Sequence, residues 1–153
     1  MNQDFTGRTV LVTGAARGLG LAIAAELHGR GATVALNDLD GADLARAIAD
    51  LGGGDRLAPM VADIATVAGC EAAVAGTVAR FGRLDVLINN AGIYAPAPIT
   101  ETTKESYVAH FNVMQLGTFL GMKSVVEAMK ANGGGSIINI CSGAGQRGYP
   151  DMI

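Results

Sequence analysis

A glycine-rich turn at residues 13–20, Thr-Gly-Ala-Ala-Arg-Gly-Leu-Gly, constrains the fold of this chain more than any other segment. An apolar run at residues 9–12 precedes it and predicts a buried strand, and apolar residues at helical spacing follow it. Gly14 would allow a sharp turn, Gly18 would let a ligand reach the backbone, and Gly20 would let the helix pack closely on the strand. The amide groups at the start of the helix would then face an anion. The spacing Gly-x-x-x-Gly-x-Gly is not the standard fingerprint, so a tight turn without a ligand is the alternative at this point.

Strand and helix patterns alternate along the whole chain. The predicted strands span residues 9–12, 33–36, 57–62, 84–88 and 136–140, and the predicted helices span residues 19–30, 41–51, 67–81 and 105–129. Alternating βαβ units imply a parallel sheet with helices on both faces, and near-continuous apolar strands suit such a sheet. The expected fold is therefore α/β, a Rossmann-like doubly wound parallel sheet of five strands in one domain spanning residues 1–153.

The predicted helix at residues 105–129 is apolar on most of its faces. Its large apolar side chains include Phe111, Met114, Phe119 and Val126. A helix with this distribution is either buried or forms an interface.

Composition and charge exclude several classes of partner. The net charge is −3 and basic residues do not cluster, so neither nucleic acid nor an anionic membrane is an expected partner. No apolar run approaches the ~20 residues of a membrane-spanning helix and no signal peptide is apparent, which favours a cytoplasmic protein. Cys70 and Cys141 show no metal-ligand spacing, so we expect two reduced core thiols and no metal site.

Polar residues follow the predicted strands at the edge where ligands bind in sheets of this kind. These residues are Thr13, Asp38, Asp63, Asn89, Asn90 and Ser142. Their placement favours one shared site, although Asx residues also favour strand ends for reasons of turn geometry.

Asp38 lies 24 positions after Gly14, where a carboxylate can accept hydrogen bonds from a ribose and would repel a 2′-phosphate. Arg17 acts in the opposite sense, because a cation in the turn could bind that phosphate. We weigh Asp38 more heavily, since desolvating two like charges costs more than one nearby cation restores. NAD is therefore the expected cofactor and NADP the alternative. Asp38 could instead cap the next helix, a role that Asp40 could also fill.

Together these segments resemble the short-chain dehydrogenase/reductase family, whose motifs occur here in the family's order along the whole chain. The matching positions are the turn at residues 13–20, Asp38, Asp63-Ile64, Asn89-Asn90-Ala91-Gly92, Asn112 and Ser142. The resemblance implies an NAD(P)-dependent oxidoreductase that transfers a hydride between the cofactor and a small secondary alcohol or carbonyl compound.

The resemblance also implies a set of residues that bind the cofactor. Its members are Gly14, Arg17, Gly18, Leu19, Gly20, Asp38, Asp63, Ile64, Asn90, Ala91 and Gly92. Within this set the glycine turn would hold the pyrophosphate, Asp38 the adenosine ribose, and Asp63 with Ile64 would flank the adenine. The segment from Asn90 would approach the nicotinamide ribose, while Asn89 would mainly tie neighbouring strands together.

Two further matches imply catalytic roles. Asn112 would hold a water molecule of the proton relay, and Ser142 would donate a hydrogen bond to the substrate oxygen, where negative charge builds during hydride transfer. From the residues alone, Ser142 could equally be a turn hydroxyl and Asn112 a core amide at a helix kink.

The family's acid–base motif, Tyr-x-x-x-Lys, does not occur within these 153 residues. Tyr149 follows Ser142 by only seven positions and no lysine follows it, so we interpret Tyr149 as a loop residue. Because loss of a general acid lowers a rate by about 10²–10⁴-fold, we expect the chain to be inactive alone.

The sequence also ends before the family's sixth and seventh strands. The strand at residues 136–140 is then expected at the edge of a sheet with the order 3-2-1-4-5, where a flat apolar edge favours association. We expect a marginally stable chain that self-associates through this strand and the long helix. The leading interpretation is that the chain is the N-terminal part of an NAD-dependent oxidoreductase. The two alternatives are a non-catalytic NAD-binding module and a structural subunit that joins a longer homologue.

Overall fold

The computed structural model describes residues 4–148, which contain one parallel sheet flanked by helices. The sheet has the order β3-β2-β1-β4-β5, and every neighbouring pair of strands is parallel. The strands are β1 (Thr9–Thr13), β2 (Thr33–Asp38), β3 (Leu57–Val61), β4 (Val86–Asn89) and β5 (Ser136–Asn139). The predicted α/β class, the parallel arrangement and the order of the five strands are thus confirmed.

Among residues 4–148, five α-helices connect or follow these strands. They are α1 (Gly18–Gly29), α2 (Gly41–Asp50), α3 (Val67–Phe81), α4 (Lys104–His110) and α5 (Gly117–Ala131). The first three begin and end within one residue of the predicted bounds. Within the described part of the chain, no helix combines the length and apolarity needed to cross a bilayer.

Alternating side chains of the central strands build two separate cores, one on each face of the sheet. Val10 and Val12 of β1 pack with Ala24 of α1 and Leu44 of α2. Leu11, which points to the opposite face, packs with residues of α3 and α5. The two faces of β1 are both covered, and Val10 to Val12 are accordingly a continuous buried apolar run, as the sequence indicated.

The prediction of one continuous helix at residues 105–129 is wrong in its middle. A π-helical stretch, Phe111–Leu116, separates α4 from α5, and the Gly117 amide donates to the carbonyl oxygen of Asn112. The apolar pattern of the sequence does not reveal this stretch. A π-helical turn holds one more residue than an α-helical turn, and it needs no particular residue types. One face of α5, with Leu120, Val125 and Met129, is buried, whereas Phe119 is 54% exposed. The other apolar face therefore lies at the surface.

Strand β5 lies at the edge of the sheet formed by the described residues, as predicted, and all four of its residues are exposed. Cys141, which follows this strand, is also exposed, so the expectation of a second core thiol is wrong at that position. Cys70 is buried, and its thiol donates a hydrogen bond to the Ile64 carbonyl oxygen at 3.1 Å. Burial, with the nearby Asp63 and Glu71, raises the pKa of Cys70 to about 11, which is typical of an unreactive thiol.

A buried carboxylate joins β1 to β4 at the end of the sheet opposite the glycine turn. Asp85 is 3% exposed and accepts hydrogen bonds from the Thr9 amide at 2.9 Å, from Arg83 Nε at 2.8 Å and from Arg8 at 3.3 Å. Burial acts to raise the pKa of Asp85, but the hydrogen bonds from Arg83, Thr9 and Arg8 outweigh it and lower the pKa below its usual value. The Asp85 carboxylate therefore stabilises the sheet and lies away from the edge where ligands bind.

Candidate functional site

A cleft of about 330 Å³ opens at the carboxyl ends of β1 to β4. Ten of the eleven residues predicted to bind the cofactor line it, and Gly18 does not. The predicted residues that line it are Gly14, Arg17, Leu19, Gly20, Asp38, Asp63, Ile64, Asn90, Ala91 and Gly92. Sequence reasoning missed five other lining residues, which are Asn37, Leu39, Ala62, Ile93 and Val113.

The glycine turn is shaped by close backbone approaches. Gly14 has a φ of +62°, and a Cβ built on it would lie 2.8 Å from the Cα of Ala91. A Cβ on Gly20 would collide with the Gly14 carbonyl oxygen and lie 2.5 Å from Asn90 Nδ2. By contrast, nothing lies within 4 Å of a Cβ built on Gly18. The first and third glycines thus permit tight packing, whereas the second borders open space.

Helix α1 begins at this turn without a side-chain cap. Arg17 occupies the N-cap position but makes no capping hydrogen bond, and the first turn carries no acidic residue. In contrast, Asp40 caps α2, Thr66 caps α3 and Thr103 caps α4. The first amides of an α-helix have no partner within the helix, and they carry the positive end of its dipole. This end of α1 is therefore suited to an anionic group in the cleft.

The side chains of Thr13 and Asn90 join the glycine turn to the end of β4. The Thr13 hydroxyl accepts from the amides of Asn90 and Ala91, each at 3.0 Å. In return, Asn90 Nδ2 donates to the carbonyl oxygens of Thr13 at 3.0 Å and Gly14 at 3.2 Å. These bonds fix the two walls of the cleft relative to each other. Asn89 bonds away from the cleft, to Asn139 of β5 at 2.9 Å, and so ties two strands together.

The Asp38 carboxylate lies at the mouth of the same turn. Its Oδ2 accepts from the Ala16 amide at 3.1 Å and its Oδ1 accepts from the Leu39 amide at 2.8 Å. Asp40 caps α2 by accepting from the Ala42 and Asp43 amides, so Asp38 does not fill that role. Asp38 and the exposed Arg17 thus border one cleft with opposite charges.

The residues after β3 form another wall of the cleft. Asp63 accepts from the Ala65 amide through Oδ1 at 3.0 Å. Ile64 packs against α5, where a Cβ on Gly117 would lie 2.6 Å from Ile64 Cδ1. Asn37, a buried residue at the end of β2, holds this wall through its side-chain amide. Asn37 directly follows the predicted strand at residues 33–36, and this position is the signal that could have identified it from the sequence.

The two predicted catalytic residues do not line the cleft. The Ser142 hydroxyl accepts from the Ala144 amide at 3.1 Å at the start of a short 3₁₀ turn, and the residue is exposed. Asn112 is half-buried in the π-helical stretch, and its neighbour Val113 reaches the cleft instead. Tyr149, interpreted above as a loop residue, lies outside the described residues.

Sequence comparison connects this arrangement with known proteins. The model of the family described as short chain dehydrogenase matches residues 8–153. An uncharacterized oxidoreductase of Thermotoga maritima is 42% identical over 97% of this chain and 59% of its own length. Sorbitol dehydrogenase of Cereibacter sphaeroides is 42% identical over 93% of this chain and 55% of its own length. The chain therefore spans a little over half the length of these relatives.

Structural comparison gives the same result. A 3-ketoacyl-(acyl-carrier-protein) reductase from Brucella melitensis, whose crystal structure is complexed with NADH, has a TM-score of 0.89 and 30% sequence identity. The match covers 95% of this chain and 62% of that reductase. The glycine turn, the parallel sheet and the matched residues lead to one conclusion. The chain belongs to the short-chain dehydrogenase family of oxidoreductases, with its fold for binding a nicotinamide cofactor.

Proposed function

We propose that this chain binds NAD in the cleft, as the dinucleotide-binding part of an oxidoreductase that acts on secondary alcohols or the corresponding carbonyl compounds. The observation that carries the proposal is the uncapped start of α1, which meets the glycine turn beside the Asp38 carboxylate. Relatives named sorbitol dehydrogenase, D-threitol dehydrogenase and galactitol 2-dehydrogenase favour a polyol as the alcohol.

In this proposal the amides of the glycine turn and of the first turn of α1 bind the pyrophosphate. Asp38 accepts from the adenosine ribose, Asp63 and Ile64 border the adenine, and the segment from Asn90 to Gly92 approaches the nicotinamide ribose. The nicotinamide supplies the hydride acceptor or donor when it is bound. Arg17 adds a positive charge near the phosphates, but the carboxylate of Asp38 disfavours the additional 2′-phosphate of NADP.

We further propose that Ser142 and Asn112 serve the chemical step in the whole enzyme. The Ser142 hydroxyl uses its oxygen to accept from Ala144, so its proton is the part that can be donated to a substrate oxygen. A polypeptide of residues 1–153 lacks a Tyr-x-x-x-Lys motif and is expected to bind NAD without turnover.

Titration with NADH tests this proposal directly. We expect NADH fluorescence to change saturably on adding the chain, NAD to compete, and sorbitol with NAD to give no NADH above background. Absence of saturable binding would favour the structural subunit instead. Turnover by residues 1–153 would contradict the expected inactivity.

The choice of NAD over NADP can be tested at Asp38. Asp38→Ser removes the charge opposing a 2′-phosphate and one acceptor for the ribose, so we expect weaker NADH binding by about tenfold and a smaller preference over NADPH. Both dissociation constants are measured by fluorescence. Asp40→Ser is the matched control, because it removes a carboxylate two positions away while serine keeps an N-cap acceptor for α2, so neither the stability nor the preference should change appreciably. An unchanged preference in Asp38→Ser would assign the discrimination to another residue.

We also propose that the chain self-associates through the exposed apolar face of the π-helical stretch and α5, together with the edge strand β5. Phe111 and Phe119 are 42% and 54% exposed, and Ile138 of β5 is 45% exposed. Size-exclusion chromatography with light scattering should give a mass above that of the monomer which increases with concentration. Phe119→Lys should shift the chain toward monomer, whereas Ile99→Lys, at an exposed loop position, should not. A wild-type monomer at all concentrations would refute the proposal.

A further inference from the structure

We infer that Asn37 is a positioning residue that holds the adenine side of the cleft in place through its side-chain amide. The inference rests on the proposed binding of NAD and adds a residue to it. Asn37 is the fifth residue of β2, is 1% exposed and borders the cleft. Its Nδ2 donates to the carbonyl oxygens of Met60 at 2.8 Å and Ala62 at 3.0 Å.

The two acceptors lie where β3 ends. Asn37 is paired in register with Met60, and the last pair of the β2–β3 ladder is Asp38 with Val61. Beyond that pair, the Ala62 amide donates to the Asp38 carbonyl oxygen at 3.2 Å. The Asn37 side chain thus extends the attachment of the sheet to the segment that continues into Asp63 and Ile64.

The same residue also holds the glycine turn, on the other side of β2. The Asn37 carbonyl oxygen accepts from the Ala15 amide at 2.9 Å. Because its backbone contacts the turn and its side chain contacts the segment after β3, Asn37 sets the spacing between the pyrophosphate and adenine regions. Only the side-chain half of this connection is removed by substitution.

Loss of the amide would leave the buried Met60 bond and the part-buried Ala62 bond without their donor, and the segment after β3 would shift to find other partners. Asp63 would shift with it. Asp63 Oδ1 already accepts from the Ala65 amide, so Oδ2 is the oxygen suited to accept from the 6-amino group of adenine. A hypoxanthine base presents a carbonyl oxygen at that position, which a carboxylate disfavours. The preference for adenine over hypoxanthine therefore reports the position of Asp63.

The test compares NADH with reduced nicotinamide hypoxanthine dinucleotide, both followed by fluorescence, in Asn37→Ala and the milder Asn37→Ser. Thr77→Ala is the matched control. Thr77 is 0% exposed, donates from its hydroxyl to the Ala73 carbonyl oxygen at 2.7 Å, and does not line the cleft. It therefore reproduces the loss of a buried hydrogen bond in the same domain. Thermal midpoints are measured for all four proteins, so that stability and ligand preference are compared separately.

We expect the wild type to prefer NADH by about tenfold, Asn37→Ala to reduce this preference to about twofold, and Asn37→Ser to lie between them. Thr77→Ala should lower the thermal midpoint and keep the wild-type preference. If Asn37→Ala does not fold, the preference of Asn37→Ser decides the result. A wild-type preference in the Asn37 variants, an equal loss in Thr77→Ala, or no preference in the wild type would overturn the inference and leave NAD binding intact. Failure of the wild type to bind either dinucleotide would instead overturn the proposed function, and this inference with it.

Discussion

Gly20→Ala is expected to abolish NADH binding by this chain, with a loss of affinity of at least about 100-fold. A Cβ at position 20 would collide with the Gly14 carbonyl oxygen and lie 2.5 Å from Asn90 Nδ2. The turn cannot withdraw, because Gly14 is itself packed against the Cα of Ala91. The substitution therefore moves α1 away from the sheet or breaks the bonds of Asn90, and either change displaces the amides proposed to bind the pyrophosphate.

Gly29→Ala provides the control, because Gly29 ends the same helix and nothing lies within 4 Å of a Cβ built there. We expect this variant to bind NADH like the wild type and to gain up to about 0.5–1 kcal/mol in free energy of unfolding from the better helix former. Fluorescence titration and urea unfolding of both variants give the comparison. If Gly20→Ala bound NADH with wild-type affinity, the close packing of the turn would not be needed for the site.

Asp85→Ala is expected to lower the free energy of unfolding by about 2–4 kcal/mol, a large part of the 5–15 kcal/mol typical of a domain. The substitution leaves the Thr9 amide without its acceptor. The side chains of Arg8 and Arg83, which are 59% and 42% exposed, can turn toward water and reduce the loss. Urea unfolding measures the change. Asp55→Ala is the control, because Asp55 is fully exposed in its 3.5 Å pair with Arg80 and should cost less than about 1 kcal/mol.

The difference in free energy of unfolding between the wild type and Asp85→Ala should depend on pH, and the pKa of Asp85 fixes the sign of that dependence. The pKa of Asp85 is lowered in the folded state by its hydrogen bonds, which outweigh the effect of burial. Its charge therefore stabilises the fold at pH values above the unfolded pKa of about 3.9, and this contribution is lost as the pH falls through the lower folded pKa. The difference in stability between the wild type and Asp85→Ala should narrow on acidification. A difference that grows toward low pH would contradict the assigned sign.

The sheet could be predicted from the sequence because a buried parallel strand is a short, continuous run of apolar residues. Val10 and Val12 face one side of the sheet and Leu11 faces the other, so that an unbroken apolar run indicates a strand buried on both sides. The glycine turn that follows fixes where β1 ends and α1 begins. The cleft could be predicted once the strands were placed, because the carboxyl ends of parallel strands meet at one edge of the sheet. The sequence alone could not decide whether Asp38 or Asp40 caps α2. The structure shows that Asp40 is the cap, whereas Asp38 accepts from the Ala16 amide.

Other features depend on contacts that residue types do not record. The π-helical stretch that separates α4 from α5 leaves the apolar spacing of the sequence unchanged. Cys141 was expected to be a reduced core thiol because the two cysteines show no metal-ligand spacing, but it follows β5 at the edge of the described sheet and is exposed. The contribution of Asn37 depends on two carbonyl oxygens more than twenty positions away, Met60 at 23 and Ala62 at 25. Long-range bonds of this kind have no local pattern.

If the uncapped start of α1 binds the pyrophosphate of NAD, as we propose, the chemical shifts of its amides should change when NAD is added. An NMR titration of the ¹⁵N-labelled chain with NAD should move the amide resonances of Gly18, Leu19 and Gly20 most, with smaller shifts at Ala16 and Ala91. The capped starts of α2, α3 and α4 should not respond comparably. Binding that leaves the resonances at the start of α1 unchanged would contradict the account.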